Sequence, residues 1–117
     1  MEFTQFYVVL LRKGPTWSPE VTPQVKATQE KHLAHLASLT ESGVLLLAGP
    51  TQVHSDNDLR GIGIYRYDAF ETLDELKAHV ERDPAIQNGR LRAEYVTWHT
   101  AKGSVVGYRE EPSSVSP

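Results

Sequence analysis

His32 is the residue on which chemistry would most readily rest. It lies in the run Gln-Glu-Lys-His-Leu-Ala-His-Leu-Ala-Ser-Leu that begins at Gln29. At about 100° per residue, Val25, Leu36 and Leu39 project close to it on a helix, with Leu33 to one side. An imidazole on such an apolar stripe has two readings. It is a core histidine satisfied by a nearby carbonyl or hydroxyl, or it takes and returns protons near neutral pH. Asp83 has the same duality. Before Pro84 it can cap a short turn, or its carboxylate can hold an imidazole tautomer and stabilise the imidazolium. Spacing alone does not bring the two residues together.

The other polar candidates carry less. His35 is displaced from the centre of the stripe and reads as a partly exposed helix residue. His79 and His99 show no informative spacing. His54, Asp56 and Asp58 alternate in a polar loop, where such residues commonly solvate turns, so no metal is expected there. No glycine-rich phosphate loop follows a strand, and there is no nucleophile elbow. Gly61 and Gly63 fit close packing of a strand better than a ligand loop. No cofactor is expected.

The elements that must position His32 and Asp83 follow from apolar periodicity. Residues 3–12 form a strand, and its alternate sets Phe6, Val8, Leu10 and Phe3, Tyr7, Val9, Leu11 are both apolar, so both faces need cover. Gly14, Pro15, Pro19 and Pro23 punctuate the next loop, which carries Trp17. Thr22 before Pro23 reads as the N-cap of a helix running to about Ser42. Gly43 reads as its stop. Residues 44–48, Val-Leu-Leu-Leu-Ala, read as a strand buried on both faces, which Gly49 and Pro50 break. After a long polar loop over residues 51–60, residues 61–67 form a strand with Ile62 and Ile64 opposite Gly63, Tyr65 and Tyr67. Thr72 and Glu75 fit a capping box opening a second helix. Asp83-Pro84 ends it, residues 85–89 form a turn, and residues 91–99 form the last strand. Val105, Val106 and Tyr108 could add an edge strand.

The order βαββαβ predicts a ferredoxin-like α+β fold with a four-stranded antiparallel sheet. Two helices cover only one face of such a sheet. The other face would be a large apolar patch, so a homodimer joined by sheet faces is expected. Composition agrees with one domain: 117 residues, 39% hydrophobic and 23% charged, with a net charge of -3 and no cysteine. The charge argues against nucleic acid as a partner. No apolar run is long enough to span a bilayer, and the N-terminus lacks a secretory pattern, so a cytoplasmic protein with no membrane partner is expected.

Several motifs together resemble the YCII-related (YciI-like) family. They are His32-Leu33-Ala34-His35-Leu36, the Ser42-Gly43 stop, Leu46-Leu47-Ala48-Gly49-Pro50, the acidic second helix, and Asp83-Pro84 followed by an apolar residue and a glycine. The resemblance covers roughly residues 6–98. It departs from the family pattern at Trp17, in the Pro-rich first loop and in the tail. It implies a ferredoxin-like domain over residues 1–100 that pairs as a dimeric α/β barrel, and a C-terminal extension over residues 101–117 that is mobile or packed on the partner subunit. It also implies an active-site pair, His32 and Asp83, doing acid–base chemistry of lyase or isomerase type on a small ring or enol metabolite. One relative type eliminates chloride from a chlorinated hydroxyquinol. Tyr7, Leu36 and Tyr65 would line the substrate pocket, with Trp17 or the loop over residues 51–60 as a lid. The alternative is a non-catalytic binding or accessory domain that takes a small-molecule ligand.

Overall fold

The computed structural model describes residues 2–110. Four strands, β1 (Phe3–Lys13), β2 (Leu45–Pro50), β3 (Leu59–Arg66) and β4 (Leu91–Ala101), form one antiparallel sheet in the order β2-β3-β1-β4. Three helices, α1 (Pro23–Glu41), α2 (Leu73–Val80) and α3 (Pro84–Gln87), complete a ferredoxin-like α+β fold. The densest apolar stretch of the sequence is the central strand β1, with a neighbour on each side.

Local chemistry fixes the helix ends. The Thr22 hydroxyl accepts from Val25 N at 3.2 Å and Pro23 takes the first helical position of α1. Gly43 leaves that helix at φ +83°, a conformation costly for any residue with a Cβ. In α2, the Thr72 hydroxyl accepts from Glu75 N at 3.1 Å, and the Glu75 carboxylate reaches back to Glu71 N at 2.9 Å.

Strand register sorts the two faces. Tyr7, Val9 and Leu11 pair with Tyr65, Gly63 and Gly61, and this set meets Leu39, Leu76 and Val80 from the helices in one core. The opposite set, Val8 and Leu10 with Ile62, Ile64 and Val96, has no helix over it among the described residues. Leu47 and Trp98 extend that face and are 66% and 51% exposed. At one end of the face Arg12 bridges Asp58 and Glu94, and Arg92 reaches Asp58.

The structure corrects several sequence expectations. β2 is not buried on both faces: it is the sheet edge, and only Leu45 is buried, while Leu46 and Leu47 are exposed. Gly49 and Pro50 do not break it but pair with Ile62 and Gly61. An edge position tolerates proline because the missing N–H can face away from the ladder. β3 begins at Leu59 and ends at Arg66, and Tyr67 opens a single 3-10 turn, Tyr67–Ala69. The turn expected over residues 85–89 is the short helix α3, Pro84–Gln87. Val105, Val106 and Tyr108 form no strand; Tyr108 instead rests on Phe6, with ring centroids 4.9 Å apart. The Arg66 guanidinium donates to Arg109 O at 2.7 Å. The rest of the expected extension, residues 111–117, lies outside the described residues.

Candidate active site

Helix α1 packs on α3 and on β2. Beneath it the sheet floor is low, because two of the helix-facing positions of β3 are Gly61 and Gly63. A Cβ on Gly63 would stand 3.1 Å from the Tyr65 ring, and one on Gly61 would stand 3.2 Å from Gly49 O. The result is a cleft of about 930 Å³ between α1 and the sheet.

His32 and Asp83 meet at its wall. His32 Nδ1 lies 2.5 Å from Asp83 Oδ2, across 51 positions of sequence. Both are buried, at 7% and 2% exposure. The other carboxylate oxygen, Oδ1, accepts from Ala85 N at 2.9 Å and caps α3. Asp83 therefore caps the turn and contacts the imidazole at once: Ala85 N holds one oxygen, and the other lies against His32 Nδ1. With Nδ1 so engaged, Nε2 is the ring nitrogen that has no protein hydrogen-bond partner among the described residues. An ionised carboxylate can only accept, so with Asp83 ionised this contact requires the proton on Nδ1.

Tyr65 and Leu36 line the same cleft, as does Trp17. Tyr65 is almost fully buried, and burial first, with the nearby Asp83 charge second, pushes its hydroxyl up to about 12. It is therefore a neutral donor at any physiological pH. This has a stability consequence. An unfolded tyrosine ionises near 10, so between about pH 10 and 12 the unfolded state loses a proton that the folded state keeps. Stability is expected to fall there by about 1.4 kcal/mol per pH unit on account of this group. Denaturant titrations across that range should show a shallower fall in Tyr65→Phe, and an equal slope in both proteins would refute the assignment.

Tyr7 does not line the cleft. It faces the same side of the sheet but is closed over by Tyr67 and Phe70, at centroid distances of 4.7 and 6.4 Å. His35 is half-buried on the cleft wall, and its Nε2 is buried without a well-formed hydrogen bond among the described residues. Burial holds its pKa below the usual histidine value, against the attraction of Asp83. The signal for it was present: three residues from His32, it shares that side of the helix. Arg60 and Arg90 also line the cleft, and neither was singled out from the sequence. From the polar loop, Asp58 turns instead to Arg12 and Arg92, and His54 and Asp56 are exposed. His79 bonds Glu75 O within its own helix, and His99 lies edge-on to Phe3.

No helix among the described residues is long and apolar enough to cross a membrane. None of the curated proteins matches the chain. Among solved structures, 5-chloro-2-hydroxyhydroquinone dehydrochlorinase (TftG) from Burkholderia phenoliruptrix AC1100, in complex with 2,5-dihydroxybenzoquinone, is 21% identical. That match covers 80% of this chain and 90% of the other, with a TM-score of 0.47. The model of the YCII-related domain matches residues 5–99, from the third residue of β1 to near the end of β4. That span takes in part of each of the four strands and both members of the His32–Asp83 pair, and over it this chain belongs to the YCII-related domain family.

Proposed function

We propose that the protein is a small-molecule enzyme of lyase or isomerase type, in which His32 moves a proton on a ring or enol substrate. The observation that carries this reading is the buried Nδ1–Asp83 contact on the wall of an open cleft. Asp83 accepting from Nδ1–H leaves the Nε2 lone pair as a base. Nε2 takes a proton from a carbon beside a carbonyl, and Asp83 stabilises the imidazolium that forms. The electron pair left on carbon moves into the conjugated system. It then either expels a leaving group or picks up the proton at another carbon, returned by Nε2. Tyr65, neutral and on the same cleft, is suited to donate a hydrogen bond to the developing enolate oxygen. The test is a screen of small cyclic enols and enones for proton exchange or elimination that disappears in His32→Gln.

A second reading is kept by a specific observation. His32 and Asp83 satisfy each other, and Asp83 also caps α3, so the pair would hold the fold together even in a domain that only binds a ligand. Ligand binding by wild type without conversion, and unchanged in His32→Gln, would favour that reading.

The proposed assembly is a homodimer. Its interface would be the uncovered sheet face around Val8, Ile62, Ile64 and Trp98. The face is apolar at its centre and carries both charge signs at one end, in Arg12, Arg92, Asp58 and Glu94, so it can meet a second copy of itself. Sedimentation is expected to give twice the 13.1 kDa chain mass at micromolar concentration, and Ile64→Asp to shift it to monomer. A monomeric wild type would rule the dimer out.

A further inference from the structure

Trp17 is surrounded by three cations. Lys13 Nζ lies 4.3 Å from its ring centroid, Arg60 Cζ 5.3 Å and Arg90 Cζ 5.6 Å. The antiparallel register explains the gathering. Lys13 ends β1, Arg60 lies near the start of β3, and Arg90 precedes β4, so all three come to one end of the sheet. Four basic residues elsewhere find carboxylates: Arg12 with Asp58 and Glu94, Arg92 with Asp58, Arg66 with Asp68, Lys102 with Glu2. Around Trp17, the side-chain bonds of Arg60 and Arg90 go to the neutral carbonyls of Asn57 and Ser18. Arg60 Nε is buried without a hydrogen-bond partner among the described residues. No carboxylate pairs with Lys13, Arg60 or Arg90 among the described residues, in a chain with more acidic than basic residues.

Like charges around one indole repel, and the ring's attraction for cations offsets only part of that. Arg60, Arg90 and Trp17 line the same cleft as His32. We infer that this corner is an anion subsite and that the ligand of the cleft is a small ring acid, whose carboxylate lies between Arg60 and Arg90. The guanidinium fork matches a carboxylate in two hydrogen bonds at once. Trp17 holds the forks in place by stacking and supplies a flat wall for the ring. The inference deepens the proposed reading by naming the substrate class, but its test needs no turnover.

The test measures binding by titration calorimetry and by the Trp17 indole N–H resonance, using 2-, 3- and 4-hydroxybenzoate with phenol as the uncharged comparison. At least one of the acids is expected to bind and shift the Trp17 signal, with phenol at least tenfold weaker. Arg60→Gln and Arg90→Gln should each weaken that acid at least tenfold, remove most of its salt dependence and leave phenol unchanged. His32→Gln should retain acid binding. If His32 proves catalytically inert while the arginine effects stand, the anion subsite survives and the enzyme reading falls. No binding by any of the acids, equal binding of acid and phenol, or undiminished binding in the Arg60→Gln, Arg90→Gln double variant would overturn the subsite.

Discussion

In His32→Gln, turnover is expected to fall by about a hundredfold to ten-thousandfold, the range associated with losing a general acid or base. Glutamine is the informative replacement. Its amide can still donate to the buried Asp83 Oδ2, which alanine would leave without that bond. The fold is then retained, and circular dichroism and the sedimentation profile should match wild type. The loss should appear in kcat more than in KM, because Nε2 acts on the reacting proton rather than on the remainder of the ligand. Equal turnover in the two proteins would return His32 to a packing role.

Asp83→Ala is expected to lower stability by roughly 2–4 kcal/mol. The cap on Ala85 N goes, costing about 1 kcal/mol, and a buried imidazole N–H loses its acceptor, costing about 1–3 kcal/mol. Chemical denaturation would measure it, and a loss below 1 kcal/mol would show that neither bond is needed. Asp83→Asn separates the two roles. From sequence alone it should cost less activity than loss of His32, because Asp83 orients rather than transfers. The observed cap alters that expectation. If the Asn oxygen keeps the bond to Ala85 N, its NH2 group faces Nδ1 and favours the imidazole with the proton on Nε2. Stability should then drop little, while activity falls about as far as in His32→Gln, because the base nitrogen is already protonated.

Much of this was legible in the sequence. A polar ring on an apolar stripe marked His32, and the Pro after Asp83 marked a capping carboxylate; Thr22, Thr72 and Gly43 placed the helix ends. The contact between His32 and Asp83 was not legible from spacing, since it depends on how α3 docks on α1. β2 misled because an unbroken apolar run looks the same at a sheet edge beside an open cleft as at a sheet centre. Leu46 and Leu47 both line the cleft, and Leu47 also pairs with Ile64 of the uncovered sheet face. Tyr7 and Tyr65 are directly paired across strands, so alternation gave both the same face. Only the 3-10 turn that carries Tyr67, which alternation had assigned to the strand, separates them by closing over Tyr7. Arg60 and Arg90 were recoverable in principle. Once β3 and β4 run antiparallel to β1, charges near or just before their starts must meet the end of β1 and the loop with Trp17.

The central claim is that Asp83 holds the proton on Nδ1 of His32 and leaves Nε2 as the exchanging base. Nitrogen-15 correlation spectra of the imidazole side chains, with His32 assigned through His32→Gln, test it most directly and without a substrate. At pH values where the ring is neutral, His32 should show a protonated Nδ1 and an unprotonated, pyridine-type Nε2, and acidification should add the new proton at Nε2. In Asp83→Asn the pattern should invert. A wild-type His32 with its proton on Nε2 and a bare Nδ1 toward Asp83 would contradict the claim.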